Sequence, residues 1–571
     1  MAWYDEAIFY HIYPLGLTGA PKENAYGEPE HRLNTLLPWI DHIKNIGCNA
    51  IYIGPLFESV GHGYETTDYK KLDSRLGDNQ DLKNFVAECH KKDIKVIFDG
   101  VFNHTGRDFF AFKDIKEKRE GSQYRDWYCN VNFGGNNEYN DGFCYDNWGG
   151  YNLLVKLNQR NPAVKDYICD IVRFWVSEFD VDGIRLDAAD VLDFDFMKAL
   201  RHVANEVKPE FWLMGEVIHG DYSRWVNEGT LHSVTNYQLH KALYSGNNDH
   251  NFFEIAHTVK RLYEMGSNNP NGFKLYNFVD NHDVERIYTK LNNKAHFTPV
   301  HILLYTLPGI PSLYYGSEFG IEGRKEKFSD ASLRPALNLD DYKNALTDNS
   351  FTALIAALGR TRQQSKALSY GDYRELKLMN RQYAFSRNFE GESVVVTVNN
   401  DDSDFTMTVP AGNAAEYIGA LSGQKVRVEN GNICVNVKAN AGEIWLPVTD
   451  QLSSVTPVEL HVEDAAAAVE PAPQNSTSAP QTLNTENVPA ADNPSSAETT
   501  AKTVADTIST PAAAPSHTVT SEDFERGKID GLQEAILAIM EKNGPVTDQM
   551  RKDVTANVYH DSLINWIKSF R

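Results

Sequence analysis

Short apolar runs and amphipathic stripes take turns along the first 370 or so residues of this chain. The runs Ala7–Pro14, Ala50–Phe57, Lys95–Phe102, Val181–Asp187, Phe211–Val217, Val234–Tyr237, Lys274–Asp283 and Ser312–Gly316 are rich in β-branched and aromatic residues and read as strands. Between them, apolar residues recur three and four positions apart. Leu33, Leu36, Leu37, Ile40 and Ile43 form one such stripe, and Leu82, Phe85, Val86 and Cys89 form another behind the acidic start Asp78 and Asp81. A third runs through Val164, Ile168, Ile171, Val172, Trp175 and Phe179, opened by Asn161 as cap and Pro162 as first helical residue. A further helix is expected near 194–207. Eight strands alternating with helices predict an α/β fold, a closed (β/α)8 TIM barrel over 1–104 and 158–370. An open doubly wound sheet is the alternative, but no glycine fingerprint follows the first strand.

The rhythm breaks at 105–157, which is rich in Gly, Asn and Tyr and has no long periodic segment. This predicts an inserted subdomain after the third strand, since loops of such length are usually functional. From 371 to 449 the period shortens. Ser393–Asn399, Phe405–Val409, Lys425–Val428 and Ile433–Val437, with the turn signal Asn430-Gly431, predict a C-terminal antiparallel β-sandwich. Residues 450–520 are Ala, Pro, Ser and Thr with almost nothing to bury, the composition of a disordered linker. Helical stripes return at 521–571, through Phe524, Ile529, Leu532 and Ile536, then Leu563, Trp566 and Ile567. They predict a small helical tail module, a possible docking piece for a protein partner.

Composition narrows the function. A net charge of −23 argues against nucleic acid and anionic membrane surfaces, which call for clustered Lys and Arg. Abundant Tyr, Phe and Trp suit a neutral sugar. The six cysteines are scattered with no CxxC pair, so neither a disulfide framework nor a zinc site is expected. No basic-then-apolar leader opens the chain and no run approaches the roughly 20 apolar residues of a membrane span. A cytoplasmic protein is expected.

The chemistry sits at the strand ends. Along Val181–Asp190, Ile184 and Leu186 face one way and Arg185 and Asp187 the other. Glu216 ends the fifth strand and Asp283 the seventh. Strand tips of a barrel open on one face, so these three acids converge. Any one acid alone is more readily explained as a solvated charge or a helix cap; the set is not. Arg185 beside Asp187 is expected to favour its ionised form.

Four blocks, Asp99–His104, Gly183–Asp187, Gly215–Glu216 and Phe278–Asp283, in this order and spacing, resemble those of the α-amylase family, glycoside hydrolase family 13. Gly61–Tyr69 resembles the family's block after the second strand. The resemblance spans about residues 5–447 and implies a retaining glycoside hydrolase acting on α-1,4-glucosidic bonds of maltodextrins. It implies Asp187 as nucleophile, Glu216 as acid and base, and Asp283 as stabiliser of the oxocarbenium-like transition state. His104 and His282 would hydrogen-bond sugar hydroxyls, Tyr64 would stack on the same sugar, and Arg185 would serve the binding site. Asp99 and Asp182 would brace Arg185 and the strand tip. Leu154–Asn158 resembles the block of the neopullulanase and cyclomaltodextrinase branch. The chain departs from that branch in having no β-domain ahead of the barrel and in following Glu216 with Val217-Ile218-His219 rather than an aromatic. No cofactor is otherwise implied; Asn103 stands at a position that binds calcium in many members, or else braces the inserted segment. A glucanotransferase, an α-1,6-acting enzyme and a non-catalytic glucan-binding relative are the alternatives, and the last should have lost a carboxylate.

Overall fold

The computed structural model describes residues 1–266, 272–327 and 329–458. The expected module at 521–571 lies outside them, as does the expected linker beyond residue 458.

Eight parallel strands form the central sheet: Phe9–Ile12, Ala50–Ile53, Lys95–Gly100, Gly183–Leu186, Trp212–Gly215, Ser233–Val234, Tyr276–Phe278 and Ile310–Tyr314. Each pairs with its neighbour in chain order, the eighth returns to the first, and a bridge from Thr235 to Tyr276 joins the sixth to the seventh. The sheet is the expected TIM barrel. Side chains alternate as the pleat requires. Phe9, Tyr52, Ile97, Trp212, Met214 and Tyr276 fill the interior, whereas Tyr10, Ile51, Val96, Phe98, Ile184 and Leu186 belong to the larger core under the helices.

The helices follow their stripes. Asp78 caps Asn79–Lys91 through a reciprocal capping box, and Asn161 caps Pro162–Phe179. The seventh strand is shorter than its apolar run. It stops at Phe278, and the acids beyond it stand on the loop to the next helix.

The inserted segment carries more regular structure than its composition suggested. Phe110–Lys118 is a helix that buries Ala111, Phe112 and Ile115. Tyr151–Lys156 pairs antiparallel with the two-residue strand His104–Thr105 and with Asn147–Trp148. After the barrel comes the antiparallel β domain. A six-stranded sheet faces the pair Phe405–Pro410 and Asn432–Val437 over a core containing Met407, Val409, Tyr417, Ile433, Val435 and Trp445. Val458 donates its backbone N–H to Leu421, so the chain stays on this sheet through residue 458. No described helix is long and apolar enough to cross a membrane.

Candidate active site

The third, fourth and fifth strands set the site. Their register places Asp99 beside Arg185 and Arg185 beside Met214. Neighbouring residues of a parallel pair share a face, so Asp99 and Arg185 enter the barrel mouth together. A Cβ at Gly54 would come within 2.3 Å of the Asp99 Cβ, so the second strand must end in glycine for Asp99 to fit.

Arg185 is buried and serves three carboxylates. Its Nη1 lies 2.9 Å from Asp99 Oδ1 and 3.0 Å from Asp187 Oδ1, and its Nη2 lies 3.0 Å from Glu216 Oε2. Tyr52 and Tyr64 donate to the other oxygen of Asp99 at 2.8 and 3.1 Å. Ala188 follows Asp187 in the left-handed region, with φ of 46°, and from there its N–H reaches Glu216 Oε2 at 3.1 Å. A non-glycine residue held so is strained, here where the two acids meet. The Tyr237 hydroxyl lies 3.4 Å from Glu216 Oε1.

Burial raises the pKa of both Asp187 and Glu216. Arg185 opposes the rise for each, and neighbouring carboxylates reinforce it: Glu216, Asp99 and Asp283 for Asp187, and Asp283 and Asp99 for Glu216. Arg185 favours the ionised form of Asp187 as expected, but its fork does the same for Glu216, and burial outweighs its pull on both. Two like charges on one fork, out of water, repel, which is why each carboxylate raises the other's cost of ionising.

Asp283 faces the cleft with its side chain 36% exposed. His282 Nε2 lies 3.1 Å from Asp283 Oδ2 and also bonds the Tyr64 hydroxyl. The His282 ring stacks with Tyr13 and with Tyr64, each at 5.8 Å. Arg334, which no sequence block contained, clamps this corner. Its Nη2 lies 2.7 Å from Asp283 Oδ1, its Nε donates to the His282 carbonyl at 2.9 Å, and its guanidinium covers the Tyr13 ring at 4.6 Å. Tyr13, Tyr52 and Tyr237 also escaped the sequence reading. Each stands at or near a strand end, which was the available signal.

His104 is buried, takes a hydrogen bond on Nδ1 from Asn103 at 3.2 Å and leaves Nε2 without a partner. Burial pushes its pKa down to about 3, and His282 also falls well below the usual histidine range. Both rings are neutral, the form that can both donate to and accept from a hydroxyl.

Two expectations need correction. Asp182 braces neither Arg185 nor the strand tip. It precedes the fourth strand, at the other rim, and binds His90 at 2.7 Å, Lys208 at 2.9 Å and Lys95 at 3.2 Å. The surroundings of Asn103 do not fit calcium. Its Oδ1 accepts from Gln159 Nε2 at 3.4 Å and its Nδ2 meets His104; no carboxylate bonds it among the described residues. Calcium needs about six to eight oxygens, usually including carboxylates. Gln159 Oε1 in turn accepts from the Asp193 N–H at 2.6 Å, so an amide bridge joins Asn103 to the segment after the fourth strand. Asn103 acts as the brace.

Residues 32–353 match the model of the α-amylase catalytic domain. The chain belongs to the α-amylase family. It is a glycosidase of that family, and residues 371–445 match the α-amylase C-terminal domain. A cyclomaltodextrinase of Thermoanaerobacter pseudethanolicus is 32% identical over 417 residues, covering 70% of this chain and 71% of the relative. Neopullulanase 2 of Thermoactinomyces vulgaris is 28% identical, covering 77% and 78%. Among solved structures, a cyclomaltodextrinase superposes with a TM-score of 0.68 at 26% identity, covering 78% of each chain. An Anoxybacillus α-amylase gives 0.66 at 25%, covering 79% of this chain and all of that one.

Proposed function

We propose that this protein hydrolyses α-1,4-glucosidic bonds of maltodextrins with retention at the anomeric carbon, through a covalent glycosyl-enzyme intermediate. The observation that carries the reading is the shared guanidinium. Asp187 and Glu216 each lie 3.0 Å from the same guanidinium, side by side, which favours the closely spaced pair of a retaining enzyme, on the order of 5 Å, over the wider inverting pair. Glu216 gives its proton to the glycosidic oxygen as the C1–O bond breaks and Asp187 bonds to C1. Glu216 then takes a proton from the water or acceptor hydroxyl that attacks C1 and frees Asp187. Asp283 faces the positive charge that develops on the ring, and neutral His104 and His282 hold sugar hydroxyls.

All three carboxylates are present, which disfavours a non-catalytic relative. The cyclomaltodextrinase and neopullulanase names of the relatives support a maltodextrin or cyclodextrin substrate. A relative from Bacillus subtilis is named an intracellular maltogenic amylase, which supports a cytoplasmic location. Incubating the enzyme with maltotriose, cyclodextrin, pullulan and starch tests the substrate. Release of maltose and glucose as the α-anomer is expected. Initial release of the β-anomer, or turnover of none of the four, overturns the proposal.

A further inference from the structure

Asp283 stands midway between two charged residues of its own loop. Asp280 lies three residues before it and Arg286 three residues after, and both are buried. Ser317, just past the eighth strand, joins them. Its Oγ donates to Asp280 Oδ2 at 2.8 Å and accepts from Arg286 Nη1 at 3.2 Å. Asp280 Oδ2 also takes the Ile287 N–H at 2.8 Å. The stretch 280–287 is therefore drawn together beneath Asp283.

Arg286 also reaches out of this loop, to the one that carries Arg334. Its Nη1 donates to the Tyr315 carbonyl at 2.8 Å and its Nη2 to the Leu333 carbonyl at 3.0 Å. Its backbone N–H meets the Gly323 carbonyl at 3.0 Å. The guanidinium lies 4.4 Å from the centre of the Tyr314 ring and 5.2 Å from that of Tyr315. These two tyrosines complete the seating. The Tyr314 hydroxyl donates to the same Leu333 carbonyl at 2.9 Å, and the Tyr315 hydroxyl to the Pro335 carbonyl at 2.8 Å. Arg334 is thus held by the carbonyls on either side of it. Its backbone has no slack: a Cβ at Gly16 would lie 2.5 Å from the Arg334 carbonyl oxygen, and one at Gly323 2.5 Å from that of Ser332. The Arg334 guanidinium then returns to Asp283 and to the His282 carbonyl, so the circuit closes where it began.

Stability alone does not call for this arrangement. Burying the charges of Arg286 and Asp280 is costly, and well-packed apolar residues of similar volume often serve a fold as well. Arg286 Nε and Asp280 Oδ1 are moreover buried with no hydrogen-bond partner among the described residues. What a planar fork supplies, and an apolar side chain cannot, is a fixed distance between the Asp283 loop and the Arg334 loop. We infer that Arg286 is a positioning residue for the reaction: buried away from substrate, it holds Arg334 at the angle from which it grips Asp283 and His282. This rests on the proposed hydrolysis and adds what sets the stabilising carboxylate in place.

The test is a double-mutant cycle on maltotriose, read by kcat, KM and melting temperature. Arg286→Lys keeps the cation and loses the fork. It should lower kcat about tenfold and leave KM within about twofold of wild type. In an Arg334→Ala background the same substitution should lower kcat no further, because the group it positions is already gone. Equal fold losses of kcat in the two backgrounds overturn the inference. So does a merely structural outcome, in which the melting temperature falls and kcat per folded molecule is unchanged. Should Arg286→Lys fail to fold, the pair Tyr314→Phe and Tyr315→Phe removes two tethers of the same loop without touching a charge. It should lower kcat about threefold, and only where Arg334 is present; an unchanged kcat, or equal loss without Arg334, overturns the inference. Wild-type enzyme that turns over no α-glucan overturns the hydrolysis reading and the inference with it. Wild-type activity with additive losses refutes the role of Arg286 alone.

Discussion

Arg185 holds Asp187 and Glu216 with the two arms of one guanidinium, each Nη 3.0 Å from its carboxylate. The arginine fixes the spacing of the two carboxylates proposed to react, and a residue without a fork cannot do so. Arg185→Lys should therefore reduce kcat/KM on maltotriose by about 100-fold or more through misplacement alone. Arg185→Ala leaves buried carboxylates without a cation and should also destabilise the fold by about 3–5 kcal/mol. Steady-state kinetics and denaturant unfolding separate the two effects; near-normal turnover by the lysine variant would count against this role.

Asp187→Asn should lose about 10⁴-fold or more in kcat while keeping the wild-type circular dichroism spectrum. Glu216→Gln should damage the glycosylation step of aryl glycosides with good leaving groups less than that of oligosaccharides, because only a poor leaving group needs its proton. Equal loss on both substrate types would remove Glu216 as the acid.

The pH dependence follows from the charges. Asp283 is among the groups that raise Glu216, so neutralising it should let the acid ionise more readily. In Asp283→Asn, the basic limb of the residual kcat/KM profile should move to lower pH. Movement upward, or none, would show that Asp283 does not act on this proton. Neither His104 nor His282 should contribute to the acidic limb. An imidazolium signal from either at about pH 5 would contradict their burial.

Arg334→Ala should lower kcat by about 100-fold with little change in melting temperature, since it frees Asp283 and His282 but sits at the cleft. Arg334→Lys should recover part of the loss. A change in KM alone would make Arg334 a substrate contact rather than a positioning residue.

Asp182 should matter to stability and not to chemistry. Its bonds to His90 and to the Val96 N–H, and the nearby Lys208, hold its pKa down to about 2. A carboxylate depressed in the folded state stabilises the fold above its unfolded pKa, about 3.9, and loses that contribution as pH falls through about 2. The contribution is about 2.6 kcal/mol near neutrality. Asp182→Asn should lower the melting temperature at pH 7, flatten its decline in acid and leave the rate per folded molecule unchanged.

The barrel was legible because its alternation of strand and helix needs only local periodicity. The acids were legible because strand tips in a barrel must converge. The Asp182 error came from reading sequence proximity as spatial proximity. Asp182 lies three residues before Arg185, yet a strand rises about 3.3 Å per residue, so that interval carries it to the other rim. The run Lys274–Asp283 looked like one strand because its apolar content continues past Phe278, where the chain already turns. Arg334 was invisible for the converse reason. It meets Asp283 from 51 residues away, and nothing in its own neighbourhood marks it. The helix Phe110–Lys118 was missed because nine residues with three buried positions scarcely establish a period.

The two-residue strand His104–Thr105 belongs at once to the cleavage point and to the insertion, through its ladder with Tyr151–Lys156. The insertion is thus not an interchangeable cassette. A chimaera that imported 105–157 from a relative would re-seat the His104 imidazole, and, if the proposed hold on a sugar hydroxyl is right, specificity and turnover would change hands together.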